Sequence, residues 1–190
     1  VFAAYLRQRG LVDTDEFEIQ TRGGTRHVQL SADAVHVDMG IPRHVPGEVK
    51  VSVGSVTWPA EAVYMPNPHA VVFTDDLDLD LNRPPAVDSE IFTEGQNVEF
   101  VVVEKPGEHV RMRVHERGVG ETLSCGTGIC AVADRTLAAA SIAGPARVQV
   151  DIPGGTCWVE RTEAGSLVLI GPAAFVADGE LSEELSRLFA

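Results

Sequence analysis

Residues 127–143, TGICAVADRTLAAASIA, are apolar around nearly the whole circumference of a helix. A helix with that pattern is enclosed, not laid on a surface. The rest of the chain must therefore wrap it, and the remaining sequence supplies short segments with strand character. EFEIQTR (16–22) alternates, and a Gly23-Gly24 turn leads into RHVQL, which predicts a hairpin. AVHVDM (34–39) reads as a third strand, and 49–58 as one weak strand. AVYMPNPHAVVFT (62–74) is two apolar runs broken by Pro66-Asn67-Pro68-His69. Prolines do not donate to a ladder, so the break predicts a bulge or tight turn exposing Asn67 and His69.

Residues 75–96 are polar, and their DDLDLDL run lacks the glycine and terminal glutamate of a calcium loop; a solvated connection is expected. NVEFVVVE (97–104) and HVRMRVH (109–115) predict a hairpin across Lys105-Pro106-Gly107-Glu108. ARVQVDI and TCWVER form another around Pro153-Gly154-Gly155, SLVLI adds a strand, and GELSEELSRLF is a short amphipathic helix. Many short strands around few helices predict an α+β fold, not a doubly wound parallel sheet. The opening VFAAYLRQRGL is helical in pattern without a capping residue, which predicts that a larger upstream part of the natural protein precedes Val1.

A formal net charge of −13 argues against phosphate backbones and anionic membranes, so neither nucleic acid nor a membrane is an expected partner. No stretch has the roughly 18 uninterrupted apolar residues of a membrane helix. Three cysteines make an odd, small set, which fits a reducing cytosol better than a disulfide framework. With no C-x-x-C, a structural zinc site is not expected.

Chemistry concentrates in His115 to Ala140, HERGVGETLSCGTGICAVADRTLAAA. Glycines at 118, 120, 126 and 128 let backbone approach a ligand. The first N–H groups of the following helix point outward with partial positive charge, which suits a carboxylate and lowers a thiol pKa. The stretch reads as a small-anion site with a nucleophilic or basic sulfur, Cys125. The competing reading is a small buried hydrophobe at a helix start. A cysteine hydrolase using His69 or His115 is a minor option.

HERGVGETLSCGTGICA resembles the second catalytic-cysteine segment of diaminopimelate epimerases, and PNPH and EGQNVEF resemble that family's two asparagine-bearing substrate segments, in order. With VDMG and the PGG hairpin, the resemblance covers nearly the whole chain. It implies a cofactor-independent epimerase interconverting LL- and meso-diaminopimelate, with two lobes, each a central helix wrapped by strands. Cys125 would be one of two catalytic cysteines, with His69 lining the cysteine site and Glu116 also in the catalytic set. Gly126 and Thr127 would supply N–H groups to the α-carboxylate. Asn67, Asn97, Glu116 and Arg117 would hold the amino-acid end. The implied lobes are 1–39, the remainder of the amino-terminal lobe, 40–171, the carboxy-terminal lobe, and 172–190, a return segment. A homodimer is left open.

The resemblance places the other cysteine in a segment like M-C-G-N-G-x-R, immediately before Val1. Cys130 does not replace it, because five residues along a helix are ~7.5 Å of rise and ~140° of rotation from Cys125. It is expected in the core, and Cys157, beside Trp158, is expected to be buried too. Pro66 stands where the family usually has glycine. Two other readings remain: a same-fold isomerase of the hydroxyproline or phenazine-precursor type, and a non-catalytic amino-acid-binding fragment.

Overall fold

The computed structural model describes residues 1–180, 182, 185 and 187. The helix expected over 179–189 therefore lies, for most of its length, outside the described residues. Among the described residues the strands form one continuous 13-stranded sheet that curls around a single long helix, α2 (Gly126–Ala139).

Three strands follow the short helix α1 (Phe2–Gln8): β1 (Glu16–Thr21), β2 (Gly24–Leu30) and β3 (Val35–Gly40). They pair antiparallel in the expected order, with Phe17 opposite Val28 and Val28 opposite Val37. α1 buries only Ala3. Where one weak strand was expected over 49–58 there are two longer ones, β4 (Arg43–Val53) and β5 (Val56–Tyr64). They are joined by a tight turn at Gly54, whose φ of 60° is a conformation that glycine adopts without penalty.

β6 (Pro68–Phe73) pairs with β5 antiparallel and with β8 (Asn97–Lys105) parallel; β7 (Ala86–Asp88) caps the far edge against β4. β8 and β9 (His109–Glu116) form the expected hairpin, and β10 (Gly120–Thr122) folds back onto β9. β11 (Ala146–Ile152) and β12 (Gly155–Arg161) form the hairpin after α2, and β13 (Leu167–Gly171) pairs with both β12 and β3. Sheet continuity thus passes from the first 40 residues to the rest through the β3–β13 ladder.

Two cores result. The first surrounds α2, whose Ile129, Cys130, Val132, Ala133 and Leu137 are almost wholly enclosed among Val63, Val101, Val114, Val148 and Leu167. At ~25 cal/mol per Å2 of apolar surface, burying each of Ile129, Val132 and Leu137 contributes roughly 1.5–3 kcal/mol. The second lies on the other side of β8, around Phe100, Val72 and Val51, with Trp58 edge-on to Phe100 at 5.7 Å between ring centroids. The 75–96 segment closes this second core and is not simply solvated: Leu81 is fully buried, and Leu77 and Leu79 pack against the cluster. Arg113 holds the segment down by donating to the carbonyls of Leu77 at 2.5 Å and Leu79 at 2.9 Å. No helix among the described residues is long and apolar enough to cross a membrane.

Candidate active site

α2 starts at Cys125, whose φ of −132° and ψ of 105° make it an extended N-cap with no side-chain capping bond. The first intrahelical bond is Ile129 N–H to Cys125 O at 2.9 Å, so the amides of Gly126, Thr127 and Gly128 emerge from the helix end. The sulfur sits 3.5 Å from Thr127 Oγ1, and the residue as a whole is only 6% exposed. The expectation that the helix end lowers this thiol pKa does not hold. Burial dominates and pushes it up to about 11; the Thr127 hydroxyl and the Gly128 amide pull it down, while the negative charges of Glu99 and Glu116 push further up. Cys125 is therefore a thiol near neutral pH.

His69 is also not where the sequence places it. The turn after β5 contains a cis Met65–Pro66 bond, and Met65 N–H donates to Asn67 O at 2.9 Å. The chain then re-enters the sheet at Pro68, in parallel register with β8, so that His69 lies opposite Asn97. Exposure at the turn falls to Pro66 and partly to Asn67, whereas His69 is fully buried. Its Nδ1 is 2.7 Å from Glu99 Oε1, and its Nε2 is 3.1 Å from Asn67 Oδ1.

At the same end of β8, Asn97 Oδ1 accepts the Arg117 backbone N–H at 2.9 Å, and Asn97 Nδ2 donates to Pro68 O at 3.4 Å. Thr122 Oγ1 donates to Glu116 Oε1 at 2.6 Å, made possible by the fold-back of β10. Arg117 is exposed and its guanidinium donates to Glu94 O at 2.9 Å and Gly95 O at 3.4 Å. A cavity of about 500 Å3 opens between α1 with β1–β3 on one side and the Pro66-Asn67 turn and Thr127 on the other. Its wall is mostly apolar, with Thr21, Arg26, Asn67 and Thr127 as polar points.

The sequence profile of diaminopimelate epimerase matches residues 61–176. The chain is 47% identical over 189 residues to the diaminopimelate epimerase of Streptomyces coelicolor, spanning 95% of this chain and 65% of that protein. It is 44% identical over 192 residues to the Corynebacterium glutamicum enzyme of the same name, spanning 95% of this chain and 68% of that one. The chain belongs to the diaminopimelate epimerase family. It spans about two thirds of the length of these relatives, 65% and 68%. Among solved structures, a PhzF-family phenazine biosynthesis protein from Bacillus anthracis superposes with a TM-score of 0.65 at 17% identity, covering 91% of this chain and 71% of that chain. A hydroxyproline epimerase from Agrobacterium vitis gives 0.65 at 17% identity, covering 90% of this chain and 61% of that chain. Both share its fold.

Within this diaminopimelate epimerase family member, the expected residues gather in two linked groups. Asn97, Glu116 and Arg117 adjoin at the β8/β9 end, and Cys125, Gly126 and Thr127 form the helix start, coupled electrostatically to Glu116. Asn67 and Thr127 reach the cavity wall, with His69 directly behind Asn67. Cys130 is fully buried as expected, and Cys157 is half-buried, its sulfur against Gly171. Sequence reasoning missed Glu99. Its signal was a carboxylate inside the apolar run NVEFVVV, two residues from Asn97 and so on the same face of the strand.

Proposed function

We propose that this chain carries one half of the acid–base machinery of a cofactor-independent epimerase that inverts an α-carbon of diaminopimelate in the cytosol. One observation carries this reading: a cysteine thiol at the exact start of an enclosed helix, beside the outward-facing amides of Gly126 and Thr127. An α-proton next to a carboxylate is very weakly acidic, so its removal needs preorganised dipoles where charge develops. The amides of Gly126 and Thr127 suit the α-carboxylate, onto which the electron pair from the broken Cα–H bond spreads. Asn67, Asn97, Glu116 and Arg117 are assigned to the amino-acid groups, with residues 1–39 forming one flank of the cleft and 40–171 the other; the return segment expected over 172–190 lies in part outside the described residues.

Inversion requires a base on one face and an acid on the other. Cys125, protonated at rest, serves as the acid: its S–H delivers a proton to Cα and leaves a thiolate. In the reverse direction that thiolate takes the proton back. The base belongs on the opposite face, and neither Cys130 nor Cys157 stands at the helix start. His69 acts from behind Asn67.

The test is to incubate the 190-residue chain with LL- and meso-diaminopimelate in D2O and to measure binding, α-proton exchange and inversion. Diaminopimelate should bind in preference to hydroxyproline. Exchange should be confined to the stereoisomer whose α-proton faces Cys125, should rise with the thiolate fraction as pH approaches 11, should be lost in Cys125→Ala, and should occur without inversion. Appreciable inversion by this chain, exchange that survives Cys125→Ala, or binding of hydroxyproline alone would overturn the assignment.

A further inference from the structure

His69 and Glu99 are both fully buried, and they face each other across the parallel β6–β8 pairing. Glu99 Oε1 lies 2.7 Å from His69 Nδ1, while Glu99 Oε2 has no hydrogen-bond partner among the described residues. Burying such a pair is costly, and apolar residues of similar volume often pack there at no loss of stability. Packing alone therefore gives no reason for a histidine and a glutamate at these two positions.

The geometry around the pair gives one. A carboxylate accepts hydrogen bonds and donates none, so Glu99 requires His69 to carry its hydrogen on Nδ1. The ring is thereby held at its rear edge, and its front edge, Nε2, is left with a lone pair facing the Asn67 amide at 3.1 Å, so the tautomer selects the amide orientation in which Asn67 Nδ2 donates to Nε2. Asn67 lines the cavity. A rigid line thus runs from Glu99 through the imidazole to an amide on the cavity wall. Space for Glu99 is created on its other side by α2: a Cβ on Gly128 would stand 2.6 Å from Glu99 Oε1. The helix whose start holds Cys125 therefore also leaves the gap that the carboxylate occupies.

We propose that Glu99 is a positioning residue, which fixes the tautomer and orientation of His69 through Nδ1–H and thereby sets the Asn67 amide that meets the substrate, with Gly128 leaving the room it needs. The link to substrate rests on the functional reading above; the hold on the ring does not. In outline this is the arrangement by which a carboxylate orients a working histidine elsewhere.

The experiment uses the full 190-residue chain, 15N-labelled, with His69 identified by its loss in His69→Gln. Long-range 1H–15N spectra should show a protonated, exchange-protected Nδ1 on His69. In Glu99→Gln, which preserves shape, that proton should exchange roughly tenfold faster, because a charge-assisted bond becomes a neutral one. A bare Nδ1 in the wild-type chain, or unchanged exchange in Glu99→Gln, overturns the proposal; the wild-type spectrum alone decides if that variant does not fold. Titration with LL-diaminopimelate then separates the two layers. If the wild-type chain binds, Glu99→Gln should bind about tenfold more weakly, and equal affinity removes the substrate link. If the wild-type chain binds no diaminopimelate while Nδ1 remains protected, the functional reading fails and the hold on the ring stands.

Discussion

Alanine in place of Gly128 tests the packing around Glu99 because helix propensity and steric fit oppose each other. Gly128 is in the first turn of α2 with helical backbone, and replacing an interior helical glycine by alanine ordinarily adds up to about 1 kcal/mol of stability. Here the new Cβ would meet Glu99 Oε1 at 2.6 Å and Glu99 Cδ and Cγ at 3.3 Å. A comfortable C···O approach is about 3.3 Å, so the carboxylate must retreat by roughly 0.7 Å. It has nowhere to retreat without lengthening its 2.7 Å bond to His69, since both side chains are fully buried. Overpacking costs about 1–3 kcal/mol, and weakening the charged bond costs part of a further ~1.5–3 kcal/mol. The steric side wins, and Gly128→Ala should destabilise the chain by about 2 kcal/mol.

Urea unfolding followed by circular dichroism reads this as a lower midpoint at unchanged slope. Gly126→Ala is the control: its Cβ meets only Leu169 Cδ2, at 3.2 Å, and its stability should stay within about 0.5 kcal/mol of wild type. On a Glu99→Ala background the sign should reverse, with Gly128→Ala stabilising by about 0.5–1 kcal/mol. If Gly128→Ala is as stable as the wild-type chain, the account of the Glu99 niche is wrong.

Two further outcomes follow from the titrating groups. Because burial lifts the Cys125 thiol to about 11, its alkylation by iodoacetamide at pH 8 should be far slower than that of free cysteine, with a midpoint near pH 11 by peptide mass spectrometry; a midpoint below about 8.5 would contradict the burial account. Burial works to raise the Asp151 carboxyl, but hydrogen bonds from His109 at 2.7 Å, Thr156 at 2.7 Å and Gln149 at 3.1 Å outweigh it and hold the pKa below the usual carboxylate range. A depressed pKa adds stability above the unfolded value, about 3.9, and that stability is lost as pH falls through the folded one. Asp151→Asn should accordingly cost about 1 kcal/mol at pH 7, discounted for partial exposure, and progressively less in thermal melts as pH falls below about 3.9; a deficit that does not shrink with falling pH would refute it.

The enclosed helix and its hairpins were legible because each is encoded locally: apolar residues all round α2, and Lys105-Pro106-Gly107 or Pro153-Gly154-Gly155 between alternating runs. The β4–β5 hairpin was not, since Gly54-Ser55 is a turn only two residues long inside a run that alternates on both sides. Nor was the burial of His69, because the residue that makes burial tolerable, Glu99, lies thirty positions downstream and is brought beside it only by parallel pairing of β6 with β8. Motif spacing located Cys125 at a helix start, yet helix-end chemistry alone gave the wrong direction for its titration. Desolvation depends on what the curled sheet packs over the sulfur, and that information is spread across the whole chain.

The β3–β13 ladder has a mechanical consequence. Five residue pairs, Val35–Gly171 through Gly40–Leu167 with one irregularity, splice the first three strands onto the remainder. No slack tether intervenes, so the two walls of the cavity behave as the arms of a leaf spring. Tightening about a guest would flex the shared sheet, and the resistance to that flexure is set along the splice, whose Leu169 packs beside Gly126 at the helix start.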